Sequence, residues 1–167
     1  MSFIEEYKRA YTIRKVEEFF LDMFKLGKIS GTVHTCVGQE IIPVVLKENT
    51  IKEDIYISNH RGHGHYISKT GDVKGLLFEL LGKKGGCSGG FGGSQHLFKE
   101  KEFYSNGIQG GMTPVAAGLA MAKKNLGEHG IVIQFIGDGT LGEGLLYETM
   151  NCARIFKLPL LVILENN

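Results

Sequence analysis

The feature that most limits how this chain can fold is the uneven distribution of its 24 glycines. Within residues 1–30 the only glycine is Gly27, whereas seven glycines fall in the twelve-residue stretch GKKGGCSGGFGG, residues 82–93. Helices and strands do not tolerate that density, because glycine loses more conformational entropy on ordering than any other residue. We therefore expect residues 82–93 to form a loop whose backbone approaches another group closely or adopts positive φ angles.

Hydrophobic periodicity predicts regular elements on both sides of this loop. The predicted helices cover residues 4–24, 39–47, 72–81, 113–125 and 145–155, and the predicted strands cover residues 54–58, 131–136 and 158–164. The last two strands are apolar almost throughout, which is typical of parallel strands that are covered on both faces. We therefore predict an α/β fold, with a parallel sheet and helices on both of its faces.

The chain shows no internal repeat and no domain boundary, so we predict a single domain over residues 1–167. The sequence stops at Asn167, directly after the second apolar strand. Ligands of parallel α/β sheets bind at the carboxyl ends of the strands. A domain that stops at such an end is expected to be incomplete, either as a fragment or as one of several chains of an enzyme.

Charge and composition argue against several classes of function. The 19 Lys and Arg residues nearly balance the 18 Asp and Glu residues, which gives no electrostatic reason to expect nucleic acid or an anionic membrane as a partner. The sequence contains neither the run of about 18 apolar residues that a spanning helix needs nor a signal peptide. Cys36, Cys87 and Cys152 share no metal-ligand spacing, so we expect free thiols and a cytoplasmic protein.

The two apolar strands are each followed by residues that suit a metal and a phosphate. Gly137-Asp138-Gly139 follows the first strand and Asn166-Asn167 ends the second. Adjacent parallel strands would place Asp138 beside Asn167, and this pair of oxygen donors suits magnesium or calcium rather than zinc. Asp138 could instead only cap the following helix. The Asn pair at the next strand end favours the metal and phosphate interpretation.

This pattern resembles the thiamine diphosphate signature. The segment GDGTLGEGLLYETMNCARIFKLPLLVILENN, residues 137–167, resembles the alpha subunit of the decarboxylating component of 2-oxo acid dehydrogenases, a family that includes pyruvate, branched-chain 2-oxo acid and acetoin dehydrogenases. Further matches in family order are GQE (38–40), HRGHGH (60–65), GGFGGSQHLF (89–98) and GIQGGMTPVAAGLA (107–120). Members of the family are longer, so the resemblance covers only their N-terminal half.

The resemblance implies thiamine diphosphate and Mg²⁺ as cofactors, with Asp138 and Asn167 as metal ligands. It implies that the cofactor is contacted by His60, Arg61, Gly107, Gln109, Asp138, Gly139, Thr140 and Asn167. It further implies catalytic roles for His34, near the bound substrate, and for His63. Two residues depart from the family: Gln95 stands where Met usually precedes His96, and Gln109 stands where an aliphatic residue is common.

The resemblance also implies an enzyme that works only with partners. It predicts a thiamine diphosphate-dependent oxidoreductase that decarboxylates a 2-oxo acid, or acts on acetoin, and passes the acyl group to a lipoyl-bearing acyltransferase. A beta-type subunit or segment would supply the catalytic glutamate, in a homo- or hetero-oligomer such as a heterotetramer. We expect the small residues of helix 113–126 to meet a partner helix, although they could instead pack on their own sheet.

Other functions are compatible with parts of the sequence. A transketolase-like ketol transferase remains open, because GDGTLGEG resembles that group too, and so does a non-catalytic cofactor-binding or assembly module. A Rossmann dehydrogenase is disfavoured, because GIQGGM lacks the final glycine of the dinucleotide fingerprint. Zinc binding by His60, His63 and His65 is disfavoured, because no cysteine or carboxylate has a matching spacing.

Overall fold

The computed structural model describes residues 3–167. Its helices are α1 (Phe3–Lys25), α2 (Ile41–Glu48), α3 (His63–Thr70), α4 (Val73–Leu80), α5 (Thr113–Leu126) and α6 (Gly144–Ile155). Its strands are β1 (Ile55–Ser58), β2 (Phe98–Lys99), β3 (Phe103–Ser105), β4 (Val132–Gly137) and β5 (Leu160–Glu165). A 3₁₀ helix, Asp138–Gly142, joins β4 to α6. None of the described helices combines the length and hydropathy needed to span a bilayer.

The strands form one mostly parallel sheet in the order β2-β3-β1-β4-β5. Strand β1 pairs in parallel with β3 and β4, β4 pairs in parallel with β5, and only β2 runs antiparallel, beside β3. The register of β4 with β5 places Gly137 opposite Glu165. The residues that follow these two strands therefore emerge side by side at the carboxyl edge of the sheet.

Helices cover both faces of the sheet, which confirms the predicted α/β class. Successive side chains of a strand point to opposite faces. Tyr56 and Phe135 belong to an apolar cluster that α1 to α4 complete, whereas Ile57 and Val132 belong to a second cluster, which includes Ala120 of α5. Strand β4 is thus buried on both sides, as its composition predicts, whereas the equally apolar β5 is the edge strand of the sheet and is only partly covered.

Helix α5 packs its small residues against its own sheet. Ala116 and Ala120 are fully buried in the cluster with Ile57. Gly118 and Ala122 lie on the exposed side of the helix, and a Cβ atom added at Gly118 would meet no atom within 4 Å. The alternative that these alanines pack on their own sheet is therefore correct, and a partner could reach α5 only through its exposed side.

The predicted elements agree with the structure to within two residues at each end, but one α-helix and two strands were missed. Helix α3 was missed because HRGHGH has two glycines and no apolar period; its C-terminal cap, Gly71, has a φ of +71°, in the left-handed region that favours glycine. Strands β2 and β3 span only two and three residues, which is too short for a periodicity to appear.

Residues 82–93 form the predicted loop, and the group that their backbone approaches is the side chain of Glu79. This carboxylate, near the end of α4, is only 1% exposed. It accepts hydrogen bonds from the backbone N–H groups of Ser88, Gly90, Gly92 and Gly93, at N···O distances of 2.6, 2.9, 2.6 and 3.2 Å. A buried charge is stable only when it is paired or hydrogen-bonded, so the loop folds around its own anion.

The loop needs glycine where the chain turns most tightly. Gly90 has a φ of +84°, and a Cβ atom there would lie 2.6 Å from the carbonyl oxygen of Lys83. A larger residue at this position would be strained in its backbone and would also collide with the opposite side of the loop. The glycine density of the sequence is therefore explained in part by the wrapping of Glu79.

We predict that Glu79→Gln destabilises the fold by about 2 kcal/mol or more, because hydrogen bonds to a charged acceptor contribute about 1.5–3 kcal/mol and the amide nitrogen would face N–H donors. Urea unfolding followed by circular dichroism measures the change. Glu148→Gln, at an exposed position of α6, is the control and should stay within about 0.5 kcal/mol of wild type. Equal stability of the two variants would contradict the role of Glu79.

Candidate functional site

A cavity of about 210 Å³ lies at the carboxyl edge of the sheet, where β1, β4 and β5 end. Six residues that the sequence singled out line it: His60, Arg61, Gln109, Asp138, Gly139 and Asn167. Larger cavities of about 420 and 750 Å³ lie elsewhere and contain none of the sequence-predicted site residues. The tertiary structure therefore gathers at one place groups from four separate segments of the chain.

Asp138 and Asn167 lie beyond the ends of neighbouring strands, as expected. Both side chains are exposed and both line the cavity. A carboxylate and an amide oxygen are suitable ligands for Mg²⁺. Within residues 3–167, no three His, Cys, Asp or Glu side chains converge as a metal site. A cation held by this pair would therefore take its remaining ligands from a bound phosphate, backbone carbonyls or water.

Glu165 is a cavity residue that the sequence interpretation missed. Its carboxylate is 4% exposed and accepts hydrogen bonds from Nε2 of His65 at 3.0 Å and from Nδ2 of Asn59 at 3.3 Å. Burial raises the pKa of Glu165, but the attraction of His65 and these two hydrogen bonds outweigh burial and hold the pKa below its usual value. The signal that could have revealed it is its position directly before Asn166-Asn167.

Two more residues of the lining, Asn59 and Gln39, were also missed. The side-chain oxygen of Asn59 accepts a hydrogen bond from the backbone N–H of Arg61 at 2.9 Å, so Asn59 shapes the turn that carries Arg61. Nη1 of Arg61 donates to the carbonyl oxygen of Thr35 at 2.7 Å. This bond uses one of the five guanidinium donors, and it fixes the side chain while leaving donors for an anion in the cavity.

Gln109 connects His60 to the turn that follows β4. Its Nε2 atom donates to Nδ1 of His60 at 3.1 Å, and its Oε1 atom accepts from the hydroxyl of Thr140 at 2.7 Å. Thr140 is buried and is not part of the cavity lining, so its hydroxyl orients Gln109. The contact of Thr140 with a diphosphate, through its backbone or its hydroxyl, which the resemblance implies, stays a prediction.

His34 contacts His60, and Gly107 lies close to a residue that contacts His34. The rings of His34 and His60 meet edge to face, with centroids 4.9 Å apart. Gln95 donates from Nε2 to Nδ1 of His34 at 3.2 Å. A Cβ atom at Gly107 would collide with Oε1 of Gln95, so a larger residue there would displace the side chain of Gln95. The two glutamines that depart from the family thus each contact one histidine.

His63 lies outside the cavity and is fully buried. Its Nδ1 atom is 2.9 Å from a carboxylate oxygen of Glu17, and its Nε2 atom is 2.9 Å from the hydroxyl of Ser94. Glu17 also accepts a hydrogen bond from the backbone N–H of Cys36 at 3.0 Å. Because both ring nitrogens are engaged inside the protein, this geometry favours a structural role for His63 and gives no support to the predicted catalytic one.

Comparison with known proteins places the chain in context. A family model described as "Dehydrogenase E1 component" matches residues 8–167. The chain is 37% identical to the pyruvate dehydrogenase E1 component subunit alpha of Rickettsia bellii, over 99% of this chain and 51% of that protein. It is 36% identical to the corresponding subunit of Rhizobium meliloti, over 98% of this chain and 48% of that protein. The chain therefore spans about half the length of these curated relatives.

A solved structure from Mycobacterium smegmatis has a similar fold. It is described as a candidate thiamin diphosphate-dependent enzyme and aligns with a TM-score of 0.50 and 18% sequence identity. The alignment covers 77% of this chain and 20% of that one. At this level of identity the comparison supports the fold alone.

We predict a pH dependence of stability that originates in Glu17. Burial raises the pKa of this carboxyl, but the attraction and hydrogen bond of His63, together with hydrogen bonds from Cys36, outweigh burial and lower the pKa in the folded state. A carboxyl whose pKa is lowered by folding stabilises the fold at pH values above its unfolded-state pKa, which is about 4.5 for Glu17. The contribution is lost as the pH falls through the folded value.

Urea unfolding at a series of pH values tests this dependence. Below about pH 4.5, the free energy of unfolding of wild type should fall more steeply than that of Glu17→Gln, which has no carboxyl to protonate at this position. Glu148→Gln, at its exposed position, should keep the wild-type slope. Parallel curves for wild type and Glu17→Gln would refute the prediction.

Proposed function

The chain belongs to the dehydrogenase E1 component family, and on this premise we propose that it is the cofactor-binding, alpha-type part of a 2-oxo acid dehydrogenase. The observation that carries the proposal is the cavity at the strand ends, which combines Arg61, Asp138 and Asn167 in one lining. A cation and two metal-type oxygen donors together suit a diphosphate with its magnesium ion. The family match favours this function over a ketol transferase.

In the proposed complex, Asp138 and Asn167 hold Mg²⁺ through their side-chain oxygens. Arg61 binds the diphosphate with the guanidinium donors that its bond to Thr35 leaves over. A Cβ atom at Gly139 would meet no atom within 4 Å, so the backbone there is open to a phosphate. The hydrogen bonds of Glu165 to His65 and Asn59 fix the end of β5, and therefore the position of Asn167, relative to the other site residues.

When bound, thiamine diphosphate supplies the electron sink for decarboxylation of a 2-oxo acid. The residues of this chain bind and orient it. His34 and His60 form a pair of imidazoles at one side of the site, with His60 in the lining. Imidazole N–H groups are suitable hydrogen-bond donors to the anionic oxygens of cofactor and substrate.

The proposed enzyme depends on partners. A beta-type subunit or segment supplies the glutamate that activates the cofactor, and a lipoyl-bearing acyltransferase accepts the acyl group. Two named relatives are alpha subunits of pyruvate dehydrogenase E1 components, which supports an alpha-type role. We therefore expect oxidoreductase activity only from the assembled oligomer.

We predict that thiamine diphosphate binding requires Mg²⁺ and the carboxylate of Asp138. Asp138→Ala leaves the diphosphate charge without its metal, and the affinity should fall by several kcal/mol, the scale of an unpaired buried charge. Calorimetric titration of the complete assembly with thiamine diphosphate, with and without Mg²⁺, measures the loss. Glu148→Ala, in the helix that follows, is the control and should bind as wild type does. Equal affinity of wild type and Asp138→Ala would remove the metal site from the proposal.

We predict that the exposed side of α5 forms part of the contact with the beta-type partner. Gly118→Arg and Ala122→Arg place a long charged side chain at exposed positions, so each variant should fold but fail to assemble. Light scattering with and without the partner measures assembly, and circular dichroism checks the fold. Glu148→Arg is the matched control on α6. Normal assembly of both α5 variants would exclude this side of the helix from the interface.

A further inference from the structure

We propose that Gln95 and Gln109 are positioning residues that fix the ring tautomers of His34 and His60, by donating an amide N–H to Nδ1 of each. When Nδ1 accepts a hydrogen bond, a neutral imidazole carries its proton on Nε2. Each histidine then offers one N–H donor of defined position to an anionic ligand. The arrangement is a property of the chain itself, whereas its use in binding the diphosphate or a 2-oxo acid rests on the proposed function.

The contacts of Gln109 at both ends of its amide support the first half of the inference. Oε1 accepts from the hydroxyl of Thr140 at 2.7 Å, and Nε2 donates to Nδ1 of His60 at 3.1 Å. Thr140 lies within the turn that follows β4 and is buried. Its hydroxyl makes the hydrogen bond to Oε1 of Gln109. The side chain of Gln109 is therefore held from behind by the turn that also carries Asp138.

Gln95 contacts His34 through the nitrogen end of its amide. Its Oε1 atom lies so close to the backbone of Gly107 that any Cβ atom there would collide with it. Its Nε2 atom faces Nδ1 of His34 at 3.2 Å. The nitrogen end of the amide thus faces an imidazole, and its oxygen end lies beside the backbone of a glycine. The two glutamines act from different segments, one before β2 and one before α5.

The two rings are also matched to each other. They meet edge to face, with an interplanar angle of 87°, an arrangement in which the positive edge of one ring faces the negative face of the other. Protonation of both rings would replace this attraction by repulsion between like charges. Burial lowers the pKa of His60, and His34 and Arg61 lower it further, while Glu165 acts in the opposite direction. The lowered pKa of His60 favours its neutral form, the form for which a tautomer is defined.

Nuclear magnetic resonance of the full chain, labelled with ¹⁵N in histidine, tests the inference without any ligand. At about pH 8, above the ordinary histidine pKa, wild type should show protonated Nε2 and unprotonated Nδ1 for both His34 and His60. Gln109→Leu should convert His60 to a mixture of tautomers and leave His34 protonated on Nε2. Gln95→Leu should do the reverse.

A second substitution makes the test directional. Gln109→Glu replaces the amide donor by an acceptor, so His60 should shift its proton to Nδ1. Ile108→Ala, at the exposed neighbouring position, is the matched control and should change neither histidine. Circular dichroism checks that each variant is folded. If Gln109→Leu does not fold, the isosteric Gln109→Glu still allows the test.

Two results would overturn the inference. One is a proton on Nδ1 of His60 in wild type, which would mean that the amide of Gln109 is turned over. The other is an unchanged His60 tautomer in both Gln109 variants. Calorimetry with thiamine diphosphate and Mg²⁺ on the complete assembly separates this question from the proposed function. Gln109→Leu should weaken binding roughly two- to tenfold, the effect of one net hydrogen bond, whereas Ile108→Ala should not.

The two proposals can fail separately. If the tautomers respond as expected but wild type does not bind thiamine diphosphate, the proposed function fails and the positioning roles stand. If binding is normal and depends on Asp138 while both tautomers ignore the glutamines, the positioning roles fail and the function stands.

Discussion

The architecture of the site depends on one constraint: a carboxylate taken out of water needs hydrogen-bond donors. Glu79, Glu17 and Glu165 are all almost completely buried. Glu79 gathers four backbone N–H groups of the glycine-rich loop, and Glu17 joins His63 to Cys36. Glu165 joins His65 to Asn59. Glu17 and Glu165 tie together segments that are distant in sequence, whereas Glu79 anchors the loop that follows its own helix.

The same constraint explains why three histidines close together in the sequence have different surroundings. His63 and His65 begin helix α3, where the chain turns them into the protein interior toward Glu17 and Glu165. His60 precedes the helix and remains at the cavity, in contact with Gln109. A buried histidine beside a buried carboxylate stabilises the fold, whereas a half-buried histidine beside an open cavity can contact a ligand. Spacing along the chain does not distinguish these roles.

Much of the fold follows from local properties of the sequence. The strands around residues 131–136 and 158–164 are apolar on both faces, which is typical of a parallel sheet covered by helices, although β5 at the edge of the sheet is covered only in part. Their end residues then meet at one edge, which made the neighbourhood of Asp138 and Asn167 predictable. Helix α3 was not predictable in this way, because its N-terminal turn is built from polar side chains that are satisfied only by distant partners. Strands β2 and β3 were not predictable because they are too short to show a period.

By itself, the sequence determined the α/β class, the loop at residues 82–93 and the edge of the sheet at which the site lies, because these follow from periodicity, glycine density and the geometry of parallel strands. Only the tertiary structure decided which polar residues share the cavity. Glu165 and Asn59 line the cavity, whereas His63 lies buried outside it. Gln95 and Gln109 each contact one histidine. The physical reason is that burial and hydrogen-bond partners depend on segments up to 106 residues apart, and no local pattern encodes them.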